Sequence, residues 1–238
     1  MKSKTGSAFG IAALSLIGVL TASADVVTYN FGQVSGGATP GGSPPWLQAV
    51  FSDAGANTVN LTLSAGNLSG SDFVACWYFN LNPALNPSSL NLSVSSSTGS
   101  FTGPTIQTGA NGFKAGPDGK FDLLFGFAST GDNSTRFTSG DSLTFTITGI
   151  SGLTADDFSW LSTSAGGSGA YSSAAHVESG TPLAGGWINP TSTLLQNADT
   201  QPQGPQVPDG ASTLGLLGVS LIAIEGFRRK MKFRPAGK

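Results

Sequence analysis

One cysteine, one histidine and few charges exclude several kinds of chemistry at the outset. Cys76 alone cannot close an intramolecular disulfide. It lies in DFVACWYFN, an apolar stretch, and reads as a small buried hydrophobe. His176 stands a hundred residues away in the chain. A Ser or Cys nucleophile needs such a base beside it. Ser172 and Ser173 are close to His176 in sequence, but near neighbours along a strand do not converge on one substrate. One Cys and one His cannot supply the four ligands of structural zinc. No catalytic residue and no cofactor is expected.

Charged residues make up 10% of the chain, against roughly 25% in an ordinary soluble domain. Bases are scarcest. From Asp25 to Asp209 there are twelve acids and three bases (Lys114, Lys120 and Arg136), a net charge near −9. The other eight bases stand at the two ends. An acidic body cannot replace the counterions on phosphate, which argues against nucleic acid as a partner. What is abundant is Gly, at 34 residues, with Ser and Thr between apolar runs. The 15 Phe and 4 Trp supply a core that a disordered chain lacks.

The two ends read as addresses. Lys2 and Lys4 precede an apolar run from Phe9 to Leu20, and Ala22-Ser23-Ala24 supplies small residues before Asp25. That is the pattern of a secretory signal peptide over residues 1–24, removed by signal peptidase. At the other end, VPDGASTLGLLGVSLIAIEGFRRKMKFRPAGK begins with a turn at Pro208-Asp209 and continues through 17 residues with few polar groups, Ala211 to Phe227. As a helix that run is about 25 Å long, marginal for a hydrocarbon core of about 30 Å. Arg228, Arg229 and Lys230 open a cluster of six cations that keeps its end cytoplasmic. The body is left outside, and the turn is held at the outer face of the inner membrane.

Val207-Pro208-Asp209, the Gly/Leu-rich run and Phe227-Arg228-Arg229-Lys230 resemble the PEP-CTERM family of sorting signals, in the variant whose motif is Val-Pro-Asp-Ser-Gly. The resemblance covers the last 30 or so residues. It departs at Gly210-Ala211, where Ser-Gly is usual, and at Glu225 inside the apolar run. Glu225 is three to four residues from Arg228 and Arg229, close enough on a helix to pair with them. The resemblance implies an integral-membrane exosortase as partner, which recognises and cleaves the motif. It also implies an exported protein, transiently anchored in the inner membrane, then placed on the surface or in the matrix of a Gram-negative bacterium that makes exopolysaccharide. The alternative is a plain anchor that is never cut.

Between the ends, apolar and polar residues alternate. Val59, Leu61 and Leu63, then Leu90, Leu92 and Val94, then Leu143, Phe145 and Ile147 each predict a half-buried strand. Phe73 to Phe79 and Phe121 to Phe127 are denser and predict central strands. Val26 to Phe31, Phe158 to Ser162 and Ala174 to Glu178 are shorter candidates. No longer segment keeps a helical period. The expectation is an all-β, antiparallel, jelly-roll-like β-sandwich over residues 25–192, a polar linker over 193–206 and the sorting signal over 207–238. Stretches such as Phe121-Asp122-Leu123-Leu124-Phe125 and Leu153-Thr154-Ala155-Asp156-Asp157-Phe158 also resemble ectodomains attached to such tails. That likeness implies a fold and no activity.

Candidate binding residues follow from type. Trp46, in the loop Pro40 to Pro45, and Trp187, after Gly185-Gly186, are candidates for stacking on a sugar ring. Asp118, Asp122 and Asp132 are candidates for calcium, which prefers hard oxygen ligands, although Lys120 opposes a cation and no known calcium-loop spacing is present. Asp156 and Asp157 are adjacent and read as turn or cap residues, not as a glycosidase pair. The leading expectation is a non-catalytic exported protein associated with exopolysaccharide. The alternatives are a carbohydrate-binding module and a secreted glycan-acting enzyme.

Overall fold

Alternation with period two decides which side chains enter the core, and the computed structural model, which describes residues 24–167, 170–179 and 185–191, follows it closely. Residues 1–23 of the expected signal peptide 1–24, the expected linker 193–206 and the sorting tail with its apolar run 211–227 lie outside the described residues. Among the described residues no helix is long and apolar enough to cross a membrane. Eleven strands form: β1 Val26–Gly37, β2 Leu47–Gly55, β3 Thr58–Ser64, β4 Phe73–Phe79, β5 Asn91–Thr98, β6 Thr105–Lys114, β7 Lys120–Gly126, β8 Phe137–Thr138, β9 Ser142–Thr148, β10 Ser173–Glu178 and β11 Gly186–Pro190. In β3 and β9 every second residue is buried, as the alternation predicts.

All strand pairs are antiparallel. They make one sheet in the order β5-β9-β3-β2-β1-β11-β10-β4-β7-β6, with β8 beside β4. The two layers of the expected sandwich are thus the halves of one curled sheet. Ring contacts show the curl. Phe125 on β7 and Phe145 on β9 are near opposite ends of the strand order, yet their centroids are 5.2 Å apart. Phe51 on β2 meets Phe79 on β4 edge to face at 5.1 Å. Phe31 on β1 meets Trp77 on β4 at 5.1 Å.

Two of the predicted strands differ. Phe158 to Ser162 is no strand. A short 3-10 turn, Ala155–Phe158, takes its start, and the carboxylate of Asp157 accepts the Thr154 N–H at 3.0 Å. Asp157 also accepts from Asn82 Nδ2 at 3.0 Å, so it is a cap residue that ties two loops. Its Phe158 ring stacks on Phe51 at 4.4 Å. The strand expected at Leu90, Leu92 and Val94 forms from Asn91, after a 3-10 turn that Leu90 caps, but it leaves the core. Leu90 is 7% exposed and Leu92 packs on the core, whereas Val94 is 58% exposed.

A second, smaller apolar cluster gathers Tyr78, Ala115, Phe121 and Ala174, with Cys76 and Trp187 against it. The register Trp187↔His176↔Cys76 across β11, β10 and β4 aligns three of the residues singled out above in one row.

Candidate functional site

His176 and Cys76 are opposite each other across β10 and β4 despite their separation in the chain. No local pattern announces this pairing, because strand order is set by topology. His176 Nδ1 is 3.6 Å from Glu178 Oε1, and its ring lies 4.6 Å from that of Trp187. The order Cys, His, Glu has the outline of a nucleophilic triad. Its electrostatics oppose that use. Burial pushes the Cys76 thiol up to about 11, outweighing the opposing pull of a hydrogen bond with Tyr78. Burial also holds the His176 imidazole below its ordinary value, against the upward pull of Glu178. Both groups are neutral at pH 7, the reverse of the thiolate–imidazolium pair that a cysteine nucleophile needs. At pH 7 only about one Cys76 thiol in ten thousand ionises. Native protein is therefore expected to react with a disulfide reagent far more slowly than protein in denaturant. Equal rates would show an accessible thiolate. Ser173 donates to the Tyr78 carbonyl at 2.6 Å, and Ser172 is buried. Neither is aimed at His176.

The two tryptophan candidates occupy other positions than expected. Gly42 to Pro45 are exposed, but the chain turns inward after Pro45. The Trp46 N–H donates to the Phe31 carbonyl at 2.9 Å, and its side chain, 4% exposed, belongs to the main core. Trp46 is thus corrected from an exposed loop residue to a buried one. Trp187 is half-buried. Its ring packs 4.6 Å from His176 and 5.8 Å from Tyr78. Gly116, at φ 42°, lies flat against it, and a Cβ there would be 2.5 Å from the indole. The indole is engaged within the protein, which removes the free face that stacking on a sugar requires.

The three aspartates do not converge. Among the described residues no group of three or more His, Cys, Asp or Glu could hold a metal ion. Asp122 accepts the backbone N–H of Leu81 at 2.9 Å and of Asn111 at 2.7 Å, and so pins a loop. Asp132 is in an exposed turn and accepts from Ser134 N at 2.9 Å. That turn lowers its pKa, chiefly through the Ser134 hydroxyl and then its N–H. Each of these carboxylates serves its own local turn or loop.

Asp118 is the unusual one. It is fully buried behind the turn Ala115 to Gly119, where its Oδ2 accepts from Ser35 Oγ at 3.0 Å. Its Oδ1 has no partner among the described residues, and neither has Oδ1 of the buried Asn189, whose side chain faces the same carboxyl. Burial raises its pKa, against the lowering effect of Ser35 and Asn189. In the folded chain the carboxyl therefore keeps its proton to higher pH than in the unfolded chain. Its contribution to stability is full below the ordinary value of 3.8 and is lost as pH rises through the folded value. Asp118→Asn keeps the acceptor for Ser35 and puts an uncharged donor in place of the orphan oxygen. It is expected to stabilise the protein by about 1–3 kcal/mol at pH 7. The gain should vanish in acid when thermal unfolding is followed against pH. A loss of stability at pH 7 would show that a bound cation, or an unseen donor, satisfies the charge.

An open cleft of about 280 Å³ is lined by Thr39, Gly41, Ser69, Asp72 and Glu178 among others. Asp72 Oδ2 accepts the Gly41 N–H. Its two acids are far apart in sequence and carry no motif, so sequence reading missed them.

Residues 206–231 match the VPDSG-CTERM motif. The match takes in Val207, Pro208 and Asp209 and the basic run Arg228, Arg229 and Lys230. The chain therefore carries a PEP-CTERM-like sorting signal, which marks an exported, membrane-transiting protein sorted by an exosortase. No curated protein and no solved structure matches the chain.

Proposed function

We propose that this chain is a non-catalytic protein of the bacterial surface or extracellular matrix, released from the inner membrane by exosortase cleavage and associated with exopolysaccharide. The observation that carries the reading is the sorting motif over 206–231. The body supports it in two ways. Its histidine and cysteine are both neutral at pH 7. Its acids are mostly engaged in turns and caps, as described above. Signal peptidase acts first, before Asp25, and the host is a Gram-negative cell with an outer surface to decorate.

In cells that make no exopolysaccharide, the processed chain is expected in the medium instead of the matrix fraction. Unchanged retention would mean that the protein is held by something other than polysaccharide.

A second reading, glycan binding by the folded body, moves from Trp46 and Trp187 to the hydroxyl- and acid-lined cleft at Asp72 and Glu178. Binding on a glycan array that is lost in Asp72→Asn with Glu178→Gln would favour it. Turnover of a polysaccharide lost in the same variant would instead make the protein an enzyme.

A further inference from the structure

A curled sheet that does not close has two edges, and here they are unlike. β6, at one edge, pairs among the described residues only with β7. Its ladder breaks between Thr108 and Phe113, where Asn111 takes φ 49° and its N–H bonds to Asp122. Such an excursion blunts an edge. β5, at the other edge, pairs among the described residues only with β9. Its sequence NLSVSSST holds no charge and no proline, the usual guards of an open edge. Its single irregularity, between Val94 and Ser96, leaves out one residue, against four in β6. Seven of its eight residues are exposed, including Val94 at 58%.

The charge map points to the occupant. From Phe73 to Phe113 there are 41 residues without one Asp, Glu, Lys or Arg, and β5 is in that stretch. The body as a whole has twelve acids against three bases. Two copies meeting through acid-bearing surface would bring like charges together, which costs several kcal/mol. β6 shares the uncharged stretch as far as Phe113, but its ladder is broken by the excursion at Asn111. At β5 they meet neutral backbone against neutral backbone.

We infer that β5 is the edge through which two copies of this chain join, strand to strand and antiparallel about a two-fold axis. Such a contact is closed, so it gives a dimer and stops. The unpaired N–H and C=O groups of one edge satisfy those of the other. Val94, stranded outside the core of one copy, finds an apolar neighbour across the axis. This contact is independent of how the protein is sorted.

The test uses the full-length chain in mild detergent. Sedimentation is expected to give a dimer at micromolar concentration. Val94→Lys sets two cations against each other across the axis. It should weaken the dimer by at least about 100-fold, an effect of two tenfold steps of about 1.4 kcal/mol each. It should leave the unfolding temperature nearly unchanged, since the site is exposed. In Val94→Cys, a short bis-maleimide should link two chains, while wild type, with its half-buried Cys76 on β4 away from the β5 edge, and Asn133→Cys, in an exposed turn, should give none. A monomer at all concentrations overturns the inference. So does a dimer untouched by Val94→Lys, or an open-ended ladder of oligomers, which would place β6 of the next copy on β5.

Discussion

Alanine at both Pro208 and Asp209 is expected to leave the chain uncut and held in the inner membrane. The two residues stand at the start of the sorting motif, immediately before the apolar run from Ala211. Proline fixes φ near −65° and has no N–H to donate, so it keeps the segment ahead of the run out of a helix. Without it, a helix over the apolar run would have no fixed start, and the cleavable segment would be drawn toward the bilayer. Asp209 supplies the only charge between Asp199 and Glu225. An enzyme site built around a charged group rejects a substrate that lacks it far more strongly than one that differs by a methylene. Processing should fall by more than about 200-fold, beyond what a methylene-sized change produces. The ratio of cut to uncut chain in membrane and extracellular fractions measures this. The body, which ends well before the motif, should fold as before. Normal cleavage would mean that recognition rests on the apolar run and basic cluster alone.

Phe79→Ala should damage the fold more than any other single change considered. Phe79 is fully buried on β4. Its ring meets Tyr29 at 6.4 Å, Phe51 at 5.1 Å, Trp77 at 6.2 Å and Phe125 at 5.8 Å. These rings come from β1, β2, β4 and β7, so Phe79 holds the two halves of the curled sheet together. Truncating a buried Phe costs about 3–5 kcal/mol. In a domain of this size that lowers the melting temperature by roughly 6 to 20 °C. Calorimetry of the variant tests it. A shift under about 2 °C would mean that the halves are held mainly by the continuous strand ladder.

The inner face of the sheet was legible because its period is forced. Every inward residue of β3 and β9 announces itself by alternation, and Phe73 to Phe79 marks a strand whose bounds agree to the residue. Sites fared worse, for three physical reasons. Val94 continues a buried row in sequence, but the curl ends before it, and no local pattern encodes where a sheet stops being covered. Trp46 follows a Pro-rich loop, and composition does not reveal that the chain turns inward at its last residue. His176 and Cys76 are brought together by strand order, which depends on pairing across a hundred residues, and Trp187 joins them from the neighbouring strand. The sorting signal was fully legible because membrane transit is read from linear sequence: a turn, an apolar run and a cluster of cations need no tertiary neighbours to act.

The central claim is that the C-terminal stretch is an address that is removed. Intact mass spectrometry of the protein from the producing cell's fractions tests it most directly. The account predicts a chain that starts at Asp25, ends near Pro208-Asp209 and lies outside the inner membrane. A chain that retains residues 211–238 and stays in the inner membrane would contradict it. The tail would then be a plain anchor, and the curled sheet would work at the periplasmic face.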